Sequence, residues 1–220
     1  MYRIIMKKYL MMLFLSMASA FSAVAQFREG ASYQELYDSE TVTSMKSHVR
    51  TFASAMLEGR KAGSEGEKMA AEYVTEILEG YGVDVLSPEG GEVFGIRKEN
   101  GDTLTSRNVV AYVPGYDKNL KDRYIVVGAR LDNLGSMTMT VDGRPVEKIL
   151  AGANGNASGL AVMLELARMV QTNSVLFRRS VLFVAFGAST ETFVGSWYFL
   201  NRSFVDPENI DAMINLDMLG

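Results

Sequence analysis

The sequence contains no cysteine and a single histidine, His48, among 220 residues. The absence of cysteine excludes a disulfide framework. A zinc site ordinarily draws on His or Cys. Any zinc site here would have to be nearly all carboxylate, a donor set better suited to harder cations. Basic residues are also in deficit, with Lys and Arg totalling 22 against 26 Asp and Glu. That balance argues against a nucleic-acid partner. No apolar run is long enough to span a bilayer. Internal repeats, low-complexity tracts and linkers are missing as well. What remains is ordinary globular composition, at a length that suits one α/β domain with a sizeable core.

The N-terminus reads as a leader. Arg3, Lys7 and Lys8 form a basic region, Tyr9 to Phe21 a short apolar region, and Ala23-Val24-Ala25 a small-residue cleavage site. Residues 1–25 are therefore expected to be a signal peptide cut after Ala25, and residues 26–220 a single secreted or periplasmic domain. The leader holds three of the 22 basic residues and none of the 26 acidic ones, so its removal takes the net charge from −4 to −7.

The rest of the chain is organised around Tyr124 to Leu166. Tyr124 to Ala129 is a β-branched, apolar run, the pattern of a strand buried on both faces. Gly152 to Gly159 is a glycine- and asparagine-rich loop opening a helix, with Asn156 or Ser158 as cap and Leu160, Leu164 and Ala167 on one face. A strand end beside a polar loop and a helix N-terminus is where open α/β sheets place their sites. Upstream, Thr41 to Leu57 reads as a helix with Val42, Met45, Val49, Phe52 and Met56 as its apolar face and His48 as an ordinary surface or core residue. Ser64 caps a second helix, with Glu67 completing a capping box. Strands are expected over Val83–Leu86, Glu92–Lys98 and Arg107–Val113. Met137–Val141 and Pro145–Leu150 form a small hairpin about Asp142-Gly143. Ser180–Phe186 is a further strand, Ile210–Leu216 a last buried strand, and Gly195–Asn201 a helix start in which Trp197 and Tyr198 read as core. The glycine loop is not G-x-G-x-x-G and no P-loop Lys follows, which excludes a nucleotide site. Gly187-Ala188-Ser189 lacks the second glycine of a nucleophile elbow.

The order of motifs resembles the bacterial secreted di-zinc aminopeptidase family, the zinc exopeptidases of clan MH, whose fold is shared with glutaminyl cyclase and the transferrin-receptor peptidase-like domain. The resemblance runs from about Leu57 to Gly220. It is carried by Gly59-Arg60-x-x-Gly63-Ser64, Asn108-Val109-Val110, Pro114-Gly115, Val127 to Asp132, Gly152 to Gly159, Phe186 to Ser196 and Asn215 to Gly220. It implies a three-layer α/β fold with a mostly parallel mixed sheet flanked by helices. It also implies two zinc ions that share a carboxylate, each with a His and a further carboxylate, and a separate Glu as general base on metal-bound water.

Carried over residue by residue, most of that set is substituted. The first His position is Arg130 and the bridging Asp position is Gly155. The base falls on Ser189 and the second ligand glutamate on Thr190. Asp132, which in the family orients the first His, is kept. Asp217 is the only retained ligand position, and the last His would follow Gly220. A glycine cannot bridge metals, Ser and Thr cannot act as a base near neutral pH, and an Arg is always charged and cannot ligate. Arg130 is thus expected to replace the metal's charge by pairing with Asp132 or Asp217. Glu191, one residue past the glutamate pair, is a candidate substitute base.

The chain also stops at Asp217-Met218-Leu219-Gly220, where the resembling family continues. This predicts a domain truncated at its C-terminus, as a fragment or interrupted gene, or else a partner chain that covers the last strand. The expected function is an exported aminopeptidase-family (metallopeptidase-like) domain, catalytically inactive and metal-free, binding a peptide or protein ligand or serving a structural role. The alternative is an exopeptidase that hydrolyses N-terminal residues of peptides with a site rebuilt from Asp132, Glu191, Asp217 and a harder metal.

Overall fold

The computed structural model describes residues 33–37, 39–88, 91–203 and 205–220. The expected leader, residues 1–25, lies outside them. Contacts divide the chain into Met1–Thr43 and Ser44–Gly220. The first unit contributes helix α1 (Tyr33–Tyr37) and the start of α2 (Glu40–Phe52). The second contains everything that positions the site.

Its framework is a mixed sheet of six strands. These are β1 (Asp84–Val85), β2 (Glu92–Arg97), β3 (Thr103–Val113), β4 (Tyr124–Arg130), β7 (Ser180–Phe186) and β8 (Ile210–Leu216). The order is β1-β3-β7-β4-β8, and β2 pairs with the first half of β3. Strands β7, β4 and β8 run parallel, whereas β3 is antiparallel to β1, β2 and β7. A separate hairpin joins β5 (Ser136–Val141) to β6 (Arg144–Ile149).

Residue type explains the layering. Along β7 every side chain is apolar after Ser180, and successive ones point to opposite faces. Val181, Phe183 and Ala185 join one core cluster, and Leu182, Val184 and Phe186 join another. The first cluster is closed by α3 (Glu65–Gly80), α4 (Ser158–Thr172) and Phe52. The second is closed by Phe199 of α5 (Val194–Arg202). A sheet buried on both faces between helices is the three-layer fold expected.

Local chemistry sets the ends of the elements. The Ser64 hydroxyl accepts from the Glu67 amide at 3.2 Å, as a cap should. Glu67 does not reach back to complete the capping box. Its carboxylate accepts from the Gly63 amide at 2.7 Å and the Ser106 hydroxyl at 2.7 Å. Helix α3 ends with Gly82 at φ +75° and bonds from Gly82 to Glu79 and from Val83 to Leu78, a Schellman closure. Helix α2 is shorter than expected, ending at Phe52. A turn and a 3₁₀ segment over Ala55–Leu57 follow, which leaves Met56 exposed. Trp197 is also exposed rather than core, while Tyr198 stacks on Phe94.

His48 is a satisfied core residue. Its Nδ1 lies 2.8 Å from the Tyr73 hydroxyl and its Nε2 3.2 Å from that of Tyr81. Burial lowers its pKa, opposed by the negative charge of Glu165. The unfolded chain then binds the imidazole proton more readily, so this contribution is intact above about pH 6.5 and is lost as pH falls toward the lower folded value. Thermal melts at about pH 7.5 and about pH 5 should therefore show a larger drop for the wild type than for His48→Gln, which does not titrate.

Candidate functional site

Three strand ends and one helix start meet at a single edge of the sheet. The parallel register sets Ala129 of β4 opposite Leu216 of β8. Arg130 and Asp217 are therefore the next facing pair. The Arg130 Nε and Nη2 donate to Asp217 Oδ1 at 2.9 and 2.8 Å. Of its two expected partners, Arg130 takes Asp217 and not Asp132. The pair is partly exposed, with the Asp217 side chain 40 % accessible.

Asp132 is fully buried and otherwise engaged. Its Oδ1 accepts from the Ser189 amide at 2.7 Å. Its Oδ2 accepts from the Thr190 amide at 2.9 Å and the Thr190 hydroxyl at 2.6 Å. The carboxylate thus caps the turn that follows β7. That turn is strained, because Ala188, Thr192 and Phe193 all sit at positive φ, a conformation that non-glycine residues adopt at a cost. Glu67, also buried, accepts from the Ala188 amide at 3.3 Å, and burial raises its pKa. Two carboxylates therefore hold the turn by its backbone.

The glycine loop is held by Arg60. This guanidinium is wholly buried. It donates to the carbonyls of Leu131 (3.1 Å), Ala151 (3.1 Å), Gly152 (3.2 Å), Gly155 (3.1 Å) and Phe52. Burial lowers its pKa to about 10, which leaves it charged at neutral pH. The loop in turn fastens the end of β8. Asn156 donates to the Leu216 carbonyl at 2.8 Å and accepts from the Met218 amide at 2.9 Å and the Gly159 amide at 3.2 Å. Asn156 is therefore the helix-capping side chain, while Ser158 and Asn154 accept from the amides of Leu219 and Gly220.

These donors do not fit a pair of zinc ions. Gly155 offers no side chain, Asp132 has both oxygens committed to the turn, and Asp217 is neutralised by a fixed cation. Among the described residues no group of three His, Cys, Asp or Glu side chains could hold a metal ion. Glu191 is not a free base, since Lys98 Nζ lies 2.9 Å from its Oε1. Ser189 and Thr190 are neutral groups bound to Asp132. Chemically, the arrangement is a closed set of ion pairs and amide anchors. The roles of Arg60 and Asn154 as backbone anchors are missing from the sequence reading. Capping signals point to the other two: Asn156 caps the helix as expected, whereas the signal at Glu67 points to the wrong partner.

The profile of peptidase family M28 matches residues 108–220. The chain belongs to that family. It is an aminopeptidase-like M28 domain. Aminopeptidase YwaD of Bacillus subtilis is 31 % identical over 137 residues, which are 60 % of this chain and 29 % of that protein. A Zn-dependent exopeptidase from Parabacteroides distasonis superposes with a TM-score of 0.62 at 17 % identity, covering 81 % of this chain and 61 % of that one. Glutaminyl cyclase from Porphyromonas gingivalis gives 0.60 at 20 % identity, covering 81 % and 59 %. The chain thus spans less than two thirds of each. At those identities the two structures establish the shared fold alone.

Removing the Asp132 carboxylate strands the buried Ser189 amide and the partly buried Thr190 amide and hydroxyl. Asp132→Ala is expected to lower stability by about 3 kcal/mol in urea unfolding, with Asp132→Asn falling between it and the wild type. A loss under about 0.5 kcal/mol for Asp132→Ala would show that the carboxylate does not anchor the turn.

Proposed function

We propose that this M28 domain is exported, holds no catalytic metal, and serves a binding or structural role toward a peptide or protein ligand rather than hydrolysing peptide bonds. The observation that carries this reading is the Arg130–Asp217 ion pair. It puts a fixed positive charge at the first ligand position and engages the one retained ligand carboxylate. A guanidinium in that place repels a dication and cannot ligate one. The other substitutions act in the same direction. Gly155, Ser189 and Thr190 supply neither a bridging carboxylate nor a general base, and Glu191 is paired with Lys98. Export is supported by the basic, apolar and small-residue order of residues 1–25.

Metal content tests the proposal directly. The purified protein, shown to be folded, is equilibrated with zinc or manganese and freed of excess. Mass spectrometry should then find less than about a tenth of an equivalent. Aminoacyl p-nitroanilides should give no turnover above the blank. One or two equivalents of metal, with hydrolysis abolished by Glu191→Gln, would instead establish a rebuilt exopeptidase site. N-terminal sequencing of exported protein should begin at Gln26.

A further inference from the structure

Strands β5 and β6 form a two-stranded sheet of their own, apart from the central sheet, and all six residues of each strand are exposed. Such a ribbon is at best marginally stable in water without something packed against it. Its root is firm. Asn133 Nδ2 donates to the Leu150 carbonyl at 2.8 Å, the Leu150 amide to Gly135 at 2.8 Å, and the Gly135 amide to Gly59 at 3.0 Å. This anchors the hairpin between Asp132 and the glycine loop, at the rim of the candidate site.

The register sorts its side chains. Met137 faces Lys148, Met139 faces Val146 and Val141 faces Arg144. Directly opposed residues share one face of a ribbon. One face is therefore an apolar strip with a cation at either end. Its apolar members are 39 to 49 % accessible. The other face carries Ser136, Glu147 and Ile149, which line a cleft with Glu58 and Lys61. The methionine and valine face thus turns away from that cleft. No carboxylate among the described residues pairs with Arg144 or Lys148. The two cations are four residues apart, or about 13 Å along the strand.

We propose that this face docks an acidic amphipathic segment of another protein, with an apolar stripe that covers Met137, Met139, Val141 and Val146 and carboxylates that meet Arg144 and Lys148. Charge selects this occupant over two others. Two copies stacked face to face would oppose cation to cation. An anionic membrane would be met by the carboxylate of Asp142 at the tip of the hairpin. A segment with carboxylates at both ends of an apolar stripe satisfies every group on the face. The inference does not depend on whether the neighbouring site holds a metal.

Fluorescence anisotropy with two synthetic peptides tests it. Both carry leucines at helical spacing, bordered in one by glutamates and in the other by lysines. The wild type should bind the glutamate peptide at least about tenfold more tightly than the lysine peptide at low salt. The Met139→Ser/Val146→Ser variant should lose at least about tenfold of that affinity. The Arg144→Glu/Lys148→Glu variant should reverse the preference. All four positions are exposed, and circular dichroism confirms that each variant is folded. Equal affinity for both peptides, no binding of the glutamate peptide, or binding unchanged in both variants would overturn the proposal. So would a wild-type dimer in sedimentation that Met139→Ser/Val146→Ser dissolves. Flotation with phosphatidylglycerol vesicles in place of peptide binding would overturn it as well.

Discussion

Everything at the candidate site hangs from the buried guanidinium of Arg60. A charge removed from water is tolerated only when its hydrogen bonds are met. Arg60 has five N–H groups, and each finds a backbone carbonyl: Leu131 after β4, Phe52 at the end of α2, and Ala151, Gly152 and Gly155 in the glycine loop. The planar fork accepts little deviation, so it fixes these segments relative to one another. Asp132, one residue past Leu131, contributes the negative charge that helps keep Arg60 protonated. The asparagines of the loop then extend the constraint to the end of β8.

Within that frame two of the acidic residues hold backbone. Asp132 caps the turn after β7, and Glu67 reaches the same turn from α3. The positive φ angles of Ala188, Thr192 and Phe193 explain why two carboxylates are needed there. Strain of this kind persists only where surrounding bonds over-determine it. Three of the roughly four acceptor sites of the Asp132 carboxylate are taken by this turn. The same residue that orients a histidine in the resembling family is here a structural cap.

The strands were the most legible part of the sequence. Ser180–Phe186 and Ile210–Leu216 have the expected bounds, the first because it is an uninterrupted apolar run after Ser180. The second is not the buried strand expected, since it carries Asp211 and Asn215 and lies at the sheet edge with five of its seven residues exposed. Strand β3 begins at Thr103 rather than Arg107, because a threonine-rich, half-exposed segment pairs with β2 without the apolar signal that marks a buried strand. The end of α2 was missed because Met56 continues its apolar period past the point where the chain turns. At the site, the resemblance located the substituted positions, but pairing depends on register. Only the alignment of β4 with β8 decides that Arg130 meets Asp217, while Asp132, two residues on, is turned to the 189–190 amides. Backbone anchoring by Arg60 and Asn156 leaves no periodicity to read.

Gly152 and Gly155 of the loop differ in what their surroundings would admit. Gly152 sits at φ +66°, and a Cβ there would come within 2.3 Å of the Asn133 amide nitrogen, so only glycine fits. Gly155 is different. Its φ is −130°, and a Cβ would meet only Asn133 Oδ1 as a close neighbour, at 3.1 Å. The backbone would admit a side chain with a small shift of Asn133. What opposes a metal site is the charge already present. Arg60 and Arg130 carry two positive charges and Asp132 and Asp217 two negative ones, each held by specific hydrogen bonds. This set is neutral and satisfied as it stands. A dication placed among these groups would have to displace Arg130 from Asp217 or strip the turn amides from Asp132. Either exchange leaves a charge or a buried amide unpaired, and that cost opposes it.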